Sequence, residues 1–360
     1  MPIRIINVCG ARPNFMKIAP LMEAYRAFPA IEPLLIHTGQ HYDENMSRLF
    51  FDELSIPRPD INLEVGSASQ AVQTAEIMKR FEPVVLEHRP AAVLVVGDVN
   101  STLACALVAV KLGVKVVHVE AGLRAYNRRI PEEINRVVAD ALSDLLLCPT
   151  KASVANLAKE GITRGVHLVG DVMYDSVLYN AARAQESAHP LERFGLEPGA
   201  YYLATVHRAE NTDDAARLEA IMEVFRRSPR PIILPLHPRT RKTLGSAGKQ
   251  IGGPVRIVEP MQYYDMLLLE KSARAILTDS GGVQKEAFWF GVPCVTLRDE
   301  TEWVELVEVG WNRVSGTDRR AIAEAINWAE TMDRSRPRPS LYGDGHAAER
   351  IVRILAEAGV

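Results

Sequence analysis

The residues best suited to moving protons are carboxylates that follow apolar runs. Asp98 comes after Ala92–Val96, in Gly97-Asp98-Val-Asn-Ser-Thr, and Glu120 comes directly after Val114–Val119, in His118-Val-Glu120-Ala-Gly-Leu-Arg124. In open α/β sheets, ligands bind beyond the carboxyl ends of the strands. A glutamate just past a run of valines is hard to explain by packing. Asp98 has a blander reading as the N-cap of a helix beginning near Ser101. Glu132 and Arg136 follow Pro131, which suits the first position of a helix, and they share one helical face at i, i+4. They are either a surface ion pair worth a few tenths of a kcal/mol, or Arg136 holds Glu132 toward a cleft.

Groups suited to phosphate lie mainly in the second half. Thr278-Asp-Ser280-Gly281-Gly282-Val-Gln-Lys285-Glu286 follows the apolar run Ala275–Leu277 and opens an amphipathic segment reaching Phe290. A strand that turns at Ser-Gly-Gly into a helix presents free amides and a helix dipole to an anion. The dipole contributes only about 0.3–1 kcal/mol at an exposed end, so the serine hydroxyl and outside cations must assist. Glu286 stands where a carboxylate can accept two ribose hydroxyl protons, and the stretch has the makings of a nucleoside-diphosphate seat. His207, beside Arg208, and His237, near Arg239, each follow a strand-like run and suit ligand contact. After the first strand comes Gly10-Ala-Arg12-Pro-Asn-Phe-Met-Lys17, whose Arg12 and Lys17 suit phosphate as a bidentate fork and a point charge. There is no G-x-S-x-G elbow and no H-E-x-x-H pair, and no catalytic metal is expected. Carboxylates from one half and phosphate groups from the other suggest a nucleotide-sugar held between two domains, with acid–base work at the sugar.

The elements that must position these residues alternate from end to end. Strand-like runs at Ile3–Cys9, Pro33–His37, Ala92–Val96, Val114–Val119, Leu145–Cys148 and Val166–Gly170 are separated by helical segments. The pattern restarts at Tyr201–Thr205, Pro231–Pro235, Val255–Val258, Ala273–Thr278 and Pro293–Leu297. Apolar runs without period-2 alternation suit parallel strands covered on both faces. The expectation is α/β with two Rossmann-like, doubly wound halves, residues 1–170 and 171–344, and an amphipathic helix over 345–360 that packs on either half. Arg334-Ser-Arg-Pro-Arg-Pro-Ser suggests a solvated loop. The chain has 360 residues, 47% of them hydrophobic, and a formal net charge of −3, which argues against nucleic acid or an anionic membrane as the main partner. No apolar run nears 18 residues, and Cys9, Cys105, Cys148 and Cys294 form no C-x-x-C. A reduced, cytoplasmic protein is expected.

GARPNFMK, VGDVNSTLA, HVEAGLR, PEEINR, TVHRAENTD, PLHPRT, LTDSGGVQKEA and YGDG occur in this order over nearly the whole chain. The combination closely resembles the non-hydrolysing UDP-N-acetylglucosamine 2-epimerases. The resemblance implies the two-domain GT-B fold, usually a homodimer, and interconversion of UDP-GlcNAc and UDP-ManNAc with neither NAD nor metal. UDP would leave across C1–C2 to give 2-acetamidoglucal and add back with C2 inverted. By motif match, Asp98, Glu120 and Glu132 form the acid–base set, and Arg12, Lys17, Arg136 and His207 meet charge developing on the leaving UDP. Ser280, Gly281, Gly282 and Glu286 match the UDP seat, with His237 a further substrate contact.

Three stretches depart from the family pattern. Thr301-Glu302-Trp303 stands where the family usually has T-E-R, Lys285 stands where many members have Glu, and Gln40-His41-Tyr42-Asp43-Glu44-Asn45-Met46 replaces a regulatory-site motif. Two of these variants resemble the branch acting on UDP-2,3-diacetamido-2,3-dideoxy-glucuronic acid, whose C6 carboxylate would need a cation such as Arg128, Arg129 or Arg208. Other readings are a retaining GT-B glycosyltransferase, a non-catalytic UDP-sugar binder and a hydrolysing epimerase; fold alone does not separate them.

Overall fold

The computed structural model describes residues 2–39, 58–236, 240–241 and 252–360, without the side chains of Arg12 and Pro13. The chain divides into two compact units, Met1–Leu178 with Ser340–Val360, and Tyr179–Pro339.

The first unit runs β1 (Ile3–Cys9), α1 (Arg12–Tyr25), β2 (Ile31–His37), β3 (Ile61–Asn62), α2 (Gln70–His88), β4 (Ala92–Val96), α3 (Asn100–Lys111), β5 (Lys115–Val119), α4 (Pro131–Leu142), β6 (Leu145–Cys148), α5 (Lys151–Lys159), β7 (Val166–Leu168) and α6 (Val172–Ser187), whose last turns belong to the second unit. The second unit continues with α7 (Pro190–Phe194), β8 (Tyr202–Thr205), α8 (Ala209–Thr212), α9 (Ala215–Arg226), β9 (Ile232–Pro235), β10 (Val255–Val258), α10 (Tyr263–Ser272), β11 (Ala275–Thr278), α11 (Gly281–Phe290), β12 (Cys294–Thr296), α12 (Val304–Glu308), β13 (Asn312–Val314) and α13 (Arg319–Thr331). The chain then returns to the first unit as α14 (Ala347–Glu357).

Each unit is a parallel sheet. The strand orders are β3-β2-β1-β4-β5-β6-β7 and β10-β9-β8-β11-β12-β13. The sequence makes this arrangement through central strands covered on both faces: all five residues of β4 are buried. Along β11, Ala275 and Leu277 join a cluster with Ile221, Phe225 and Ile326 of α9 and α13, while Ile276 points the other way, among Leu269 and Ala287 of α10 and α11. In the first unit, Ile6, Val8, Val93 and Val95 pack on Ile77 and Phe81 of α2. The expectation of two doubly wound α/β halves is met. The short edge strands β3 and β13 had no apolar run to announce them.

The stretch Arg334–Ser340 is irregular and mostly exposed, as expected, but its three arginines reach back onto the second unit. Arg334 donates to the carbonyls of Gly291 and Ala273 at 3.0 and 2.9 Å. Arg336 donates to Val309 at 3.0 Å and to Gly310, and its guanidinium lies 4.8 Å from the Trp311 ring. Arg338 donates to Phe288 at 2.6 Å and to Trp289. These carbonyls end α10, α11 and α12. The arginines thus satisfy acceptors that a helix leaves open at its C-terminus and place positive charge at the negative end of each dipole. All four tryptophans lie in the second unit, at 289, 303, 311 and 328. Arg336→Ala is expected to cost roughly 1.5–3 kcal/mol, the range for hydrogen bonds from a charged donor, measured as a lower urea midpoint in tryptophan fluorescence. An unchanged midpoint would show that water replaces the arginine without loss.

Candidate active site

In the first sheet the strand order reverses between β1 and β4, and the loops leaving β1, β4 and β5 carry its polar cluster. Helix α1 begins without a capping side chain, because its N-cap is Ala11. Asn14 supplies the contacts instead: its Oδ1 accepts from the Gly10 and Ala11 amides at 3.1 and 3.0 Å, and its Nδ2 donates to the Val96 carbonyl at 3.2 Å. The β1 and β4 exits are therefore tied together. One turn further on, the Lys17 ammonium makes a short ion pair with Glu120 Oε2, with the two side chains 12% and 7% exposed. Gly97 leaves room for that pair. Its φ is +67°, and a Cβ there would sit 3.0 Å from Lys17 Nζ and 3.4 Å from Glu120 Oε2.

Glu120 itself has φ of 72°. A left-handed conformation costs a side-chain-bearing residue about 1–3 kcal/mol and persists only where its surroundings enforce it, often at ligand sites. Here the Leu147 carbonyl accepts both the Glu120 and Ala121 amides, at 3.1 and 3.2 Å.

Asp98 is not a helix cap: α3 starts at Asn100 with Val99 as its N-cap. The Asp98 carboxylate instead takes Arg136, from Nε at 3.0 Å and Nη2 at 2.6 Å, because the fork of a guanidinium reaches across from α4. Asn135 donates to the Asp98 carbonyl at 2.9 Å. The expected Glu132–Arg136 pairing is corrected, since Arg136 turns to Asp98 and to Glu133, 2.9 Å from its Nη1. Glu133 also accepts the Ala125 and Tyr126 amides at 2.9 and 2.8 Å. Glu132 lies half-buried in the first turn of α4.

In the second sheet the order reverses between β8 and β11. Here Asp279, fully buried, accepts the amides of His207 at 3.0 Å and Arg208 at 3.0 Å and the Asn211 side chain at 3.1 Å. His207 Nδ1 lies 3.2 Å from Asp279 Oδ1, and that side chain is 39% exposed. Ser280 caps α11 through Val283, and Gly281 and Gly282 are the helix's first two residues. A Cβ on Gly281 would come within 2.5 Å of Glu302 Oε1, so the glycine lets the Thr301–Trp303 loop close against the helix start. Glu302 accepts Arg298 at 3.0 Å, and the Lys285 ammonium lies 4.1 Å from the Trp303 ring and 5.5 Å from the Trp289 ring. The two unusual residues of this region thus pack on each other. Glu286 is buried, with the Tyr263 hydroxyl 3.5 Å away; burial pushes its carboxyl up to about 7, against the pull of Lys285.

The first unit therefore offers two carboxylates, each beside its own cation, and the second a Ser-Gly-Gly helix start followed by a buried carboxylate. The model described as UDP-N-acetylglucosamine 2-epimerase matches residues 23–356. The chain belongs to the UDP-N-acetylglucosamine 2-epimerase family. A Methanococcus maripaludis protein named UDP-N-acetylglucosamine 2-epimerase homolog is 46% identical, over 98% of this chain and 99% of its own. A UDP-2,3-diacetamido-2,3-dideoxy-D-glucuronate 2-epimerase from Pseudomonas aeruginosa is 43% identical, over 99% of this chain and 100% of its own. The crystal structure of the Methanocaldococcus jannaschii UDP-GlcNAc 2-epimerase in complex with UDP-GlcNAc and UDP superposes with a TM-score of 0.90 at 40% identity, covering 99% of this chain and 100% of that one.

In this epimerase, His237 and the stretch Gln40–Met46 lie outside the described residues, and Arg12 begins α1 with its side chain outside them as well. Among the residues missed, Asn14, Glu133 and Asp279 act on backbone amides; a signal existed only for Asp279, a carboxylate at a strand exit.

Glu286 holds its proton to higher pH when folded than its ordinary value of 4.5. Folding takes up a proton between those values, so the stability this group contributes is full below the unfolded pKa and is lost as pH rises through 7. Between pH 5 and 8 the wild type is expected to lose on the order of 2–3 kcal/mol relative to Glu286→Gln, measured by urea unfolding at each pH. Parallel pH profiles would show that this carboxyl is not raised.

Proposed function

We propose that this enzyme interconverts UDP-GlcNAc and UDP-ManNAc by eliminating and re-adding UDP. A carboxylate takes the C2 proton, the C1–O electron pair leaves with UDP, and a C1–C2 double bond forms 2-acetamidoglucal. A second acid then delivers a proton to the opposite face of C2 as the UDP oxygen rebonds to C1. Atoms and electrons balance, and the cycle is redox-neutral.

The observation that carries this reading is the presence of two cation-held carboxylates at one switch point, Glu120 with Lys17 and Asp98 with Arg136. We assign Asp98, Glu120 and Glu132 to the acid–base set. A diphosphate that draws Lys17 or Arg136 to itself frees the paired carboxylate to accept a proton, so that base strength rises when substrate binds. Arg12, Lys17, Arg136 and His207 meet the charge on departing UDP. Ser280, Gly281 and Gly282 take a phosphate at the start of α11, Glu286 takes the ribose hydroxyls, and His237 is a further substrate contact. A homodimer and a cytoplasmic location belong to the same reading; among the described residues no helix is long and apolar enough to cross a membrane.

A second substrate, UDP-2,3-diacetamido-2,3-dideoxy-glucuronic acid, is favoured by the 43% identity to the Pseudomonas aeruginosa enzyme. Arg128, Arg129 or Arg208 would then meet its C6 carboxylate.

Proton NMR of the protein with UDP-GlcNAc in D₂O is expected to show UDP-ManNAc carrying deuterium at C2. An unchanged spectrum, followed by exchange with the diacetamido-glucuronate, would transfer the assignment to that substrate. Glu120→Gln and Asp98→Asn are each expected to lower turnover roughly 10²–10⁴-fold with the fold intact, the range for an acid–base group. Turnover near wild type in either variant removes that residue from the mechanism.

A further inference from the structure

His118 lies on β5, two residues before Glu120, and is fully buried. Its ring meets two oxygens: Nδ1 is 2.6 Å from Asp140 Oδ1, and Nε2 is 2.8 Å from the Gly97 carbonyl. A carbonyl only accepts, so Nε2 carries a proton, and the carboxylate at Nδ1 holds a second. The ring is therefore an imidazolium. Burial pulls its pKa down, but Asp140, the Gly97 carbonyl and Glu120 together hold it above the usual histidine value. For Asp140, burial pushes up and His118 and Arg124 prevail, leaving its carboxyl below the usual range.

The other Asp140 oxygen accepts from the Gly122 amide at 3.0 Å and from Arg124 Nη1 at 2.7 Å. Arg124 also donates to the Leu123 carbonyl at 2.7 Å and grips Glu160 through two nitrogens, at 2.7 and 2.6 Å. Taking such charges out of water is costly before pairing, and well-packed apolar residues often serve stability as well or better. What this cluster supplies is geometry. Its hydrogen bonds end on Gly97, which precedes Asp98, and on Gly122 and Leu123, which follow Glu120.

We propose that His118 and Asp140 are positioning residues: a buried ion pair that fixes the backbone before Asp98 and after Glu120, so that one cluster sets both proton-handling carboxylates. This rests on the C2-epimerase reading above. Neither side chain touches the reacting atoms. Their effect is on the placement of groups that do, and misplacement by about 1 Å costs on the order of 10²-fold in rate.

The amide of asparagine at 118 takes the place of Nδ1 and keeps Asp140, whereas that of glutamine takes the place of Nε2 and keeps the Gly97 carbonyl. His118→Asn is therefore expected to lower kcat and C2 deuterium exchange roughly 10²-fold, with KM within about 3-fold and UDP affinity by calorimetry unmoved. His118→Gln should recover most of that loss. A folded His118→Asn with wild-type turnover overturns the proposal, as does a loss shared by kcat, KM and UDP affinity alike. Should both variants fail to fold, histidine-selective ¹⁵N NMR of the wild type decides. The proposal requires both ring nitrogens to carry slowly exchanging N–H groups, as bonds to Asp140 and Gly97 dictate, and a ring with one unprotonated nitrogen at pH 7 overturns it. If wild type exchanges no C2 proton in either sugar nucleotide, the functional reading fails instead, and the ring measurement still judges the ion pair.

Discussion

Parallel strands in one sheet all leave it at the same edge. Everything polar in this protein's candidate site follows from that constraint. Strand interiors are mostly apolar because both sheet faces are covered, with buried exceptions such as His118, and most polar residues lie beyond the carboxyl ends. Where the strand order reverses, neighbouring loops diverge and leave a crevice. In the first unit that place is filled by Asn14, Lys17, Asp98 and Glu120, and in the second by His207, Asp279 and Ser280.

The two units solve one electrostatic problem in different ways. Each sets a buried aspartate against a histidine near a strand exit, Asp140 with His118 and Asp279 with His207. In the first unit the histidine is itself buried and serves as a strut within a row of alternating charges. In the second the aspartate spends most of its capacity on backbone amides, and the imidazole stays partly open to solvent. One arrangement stiffens a floor beneath carboxylates, and the other aims a donor from a rigid base.

The parallel-sheet halves, most strand positions and the glycine-rich helix start were legible because each rests on a local pattern: an unbroken apolar run, or Ser-Gly-Gly before an amphipathic stretch. The carboxylates at strand exits could be picked out because packing gives no reason for them. The partners of those carboxylates could not. Glu132 and Arg136 have ideal helical spacing, yet Arg136 reaches 38 positions back to Asp98, since a long guanidinium satisfies whichever buried acceptor the tertiary fold brings near. His118 was visible only as part of a motif, because its partners are a carbonyl just past β4 and a side chain on α4. The arginines at 334, 336 and 338 looked solvated for the same reason: their acceptors are helix ends far away in sequence.

The return of the chain as α14 orders the molecule's own making. Ala347, Ala348, Ile351, Val352 and Leu355 are buried in the first unit, where α14 packs against α1, the helix that carries Lys17. The first unit is thus discontinuous, and the second, Tyr179–Pro339, is an unbroken insertion within it. On a ribosome the unit begun first is finished last. The face of α1 against which α14 packs stays uncovered until the whole second unit has been made.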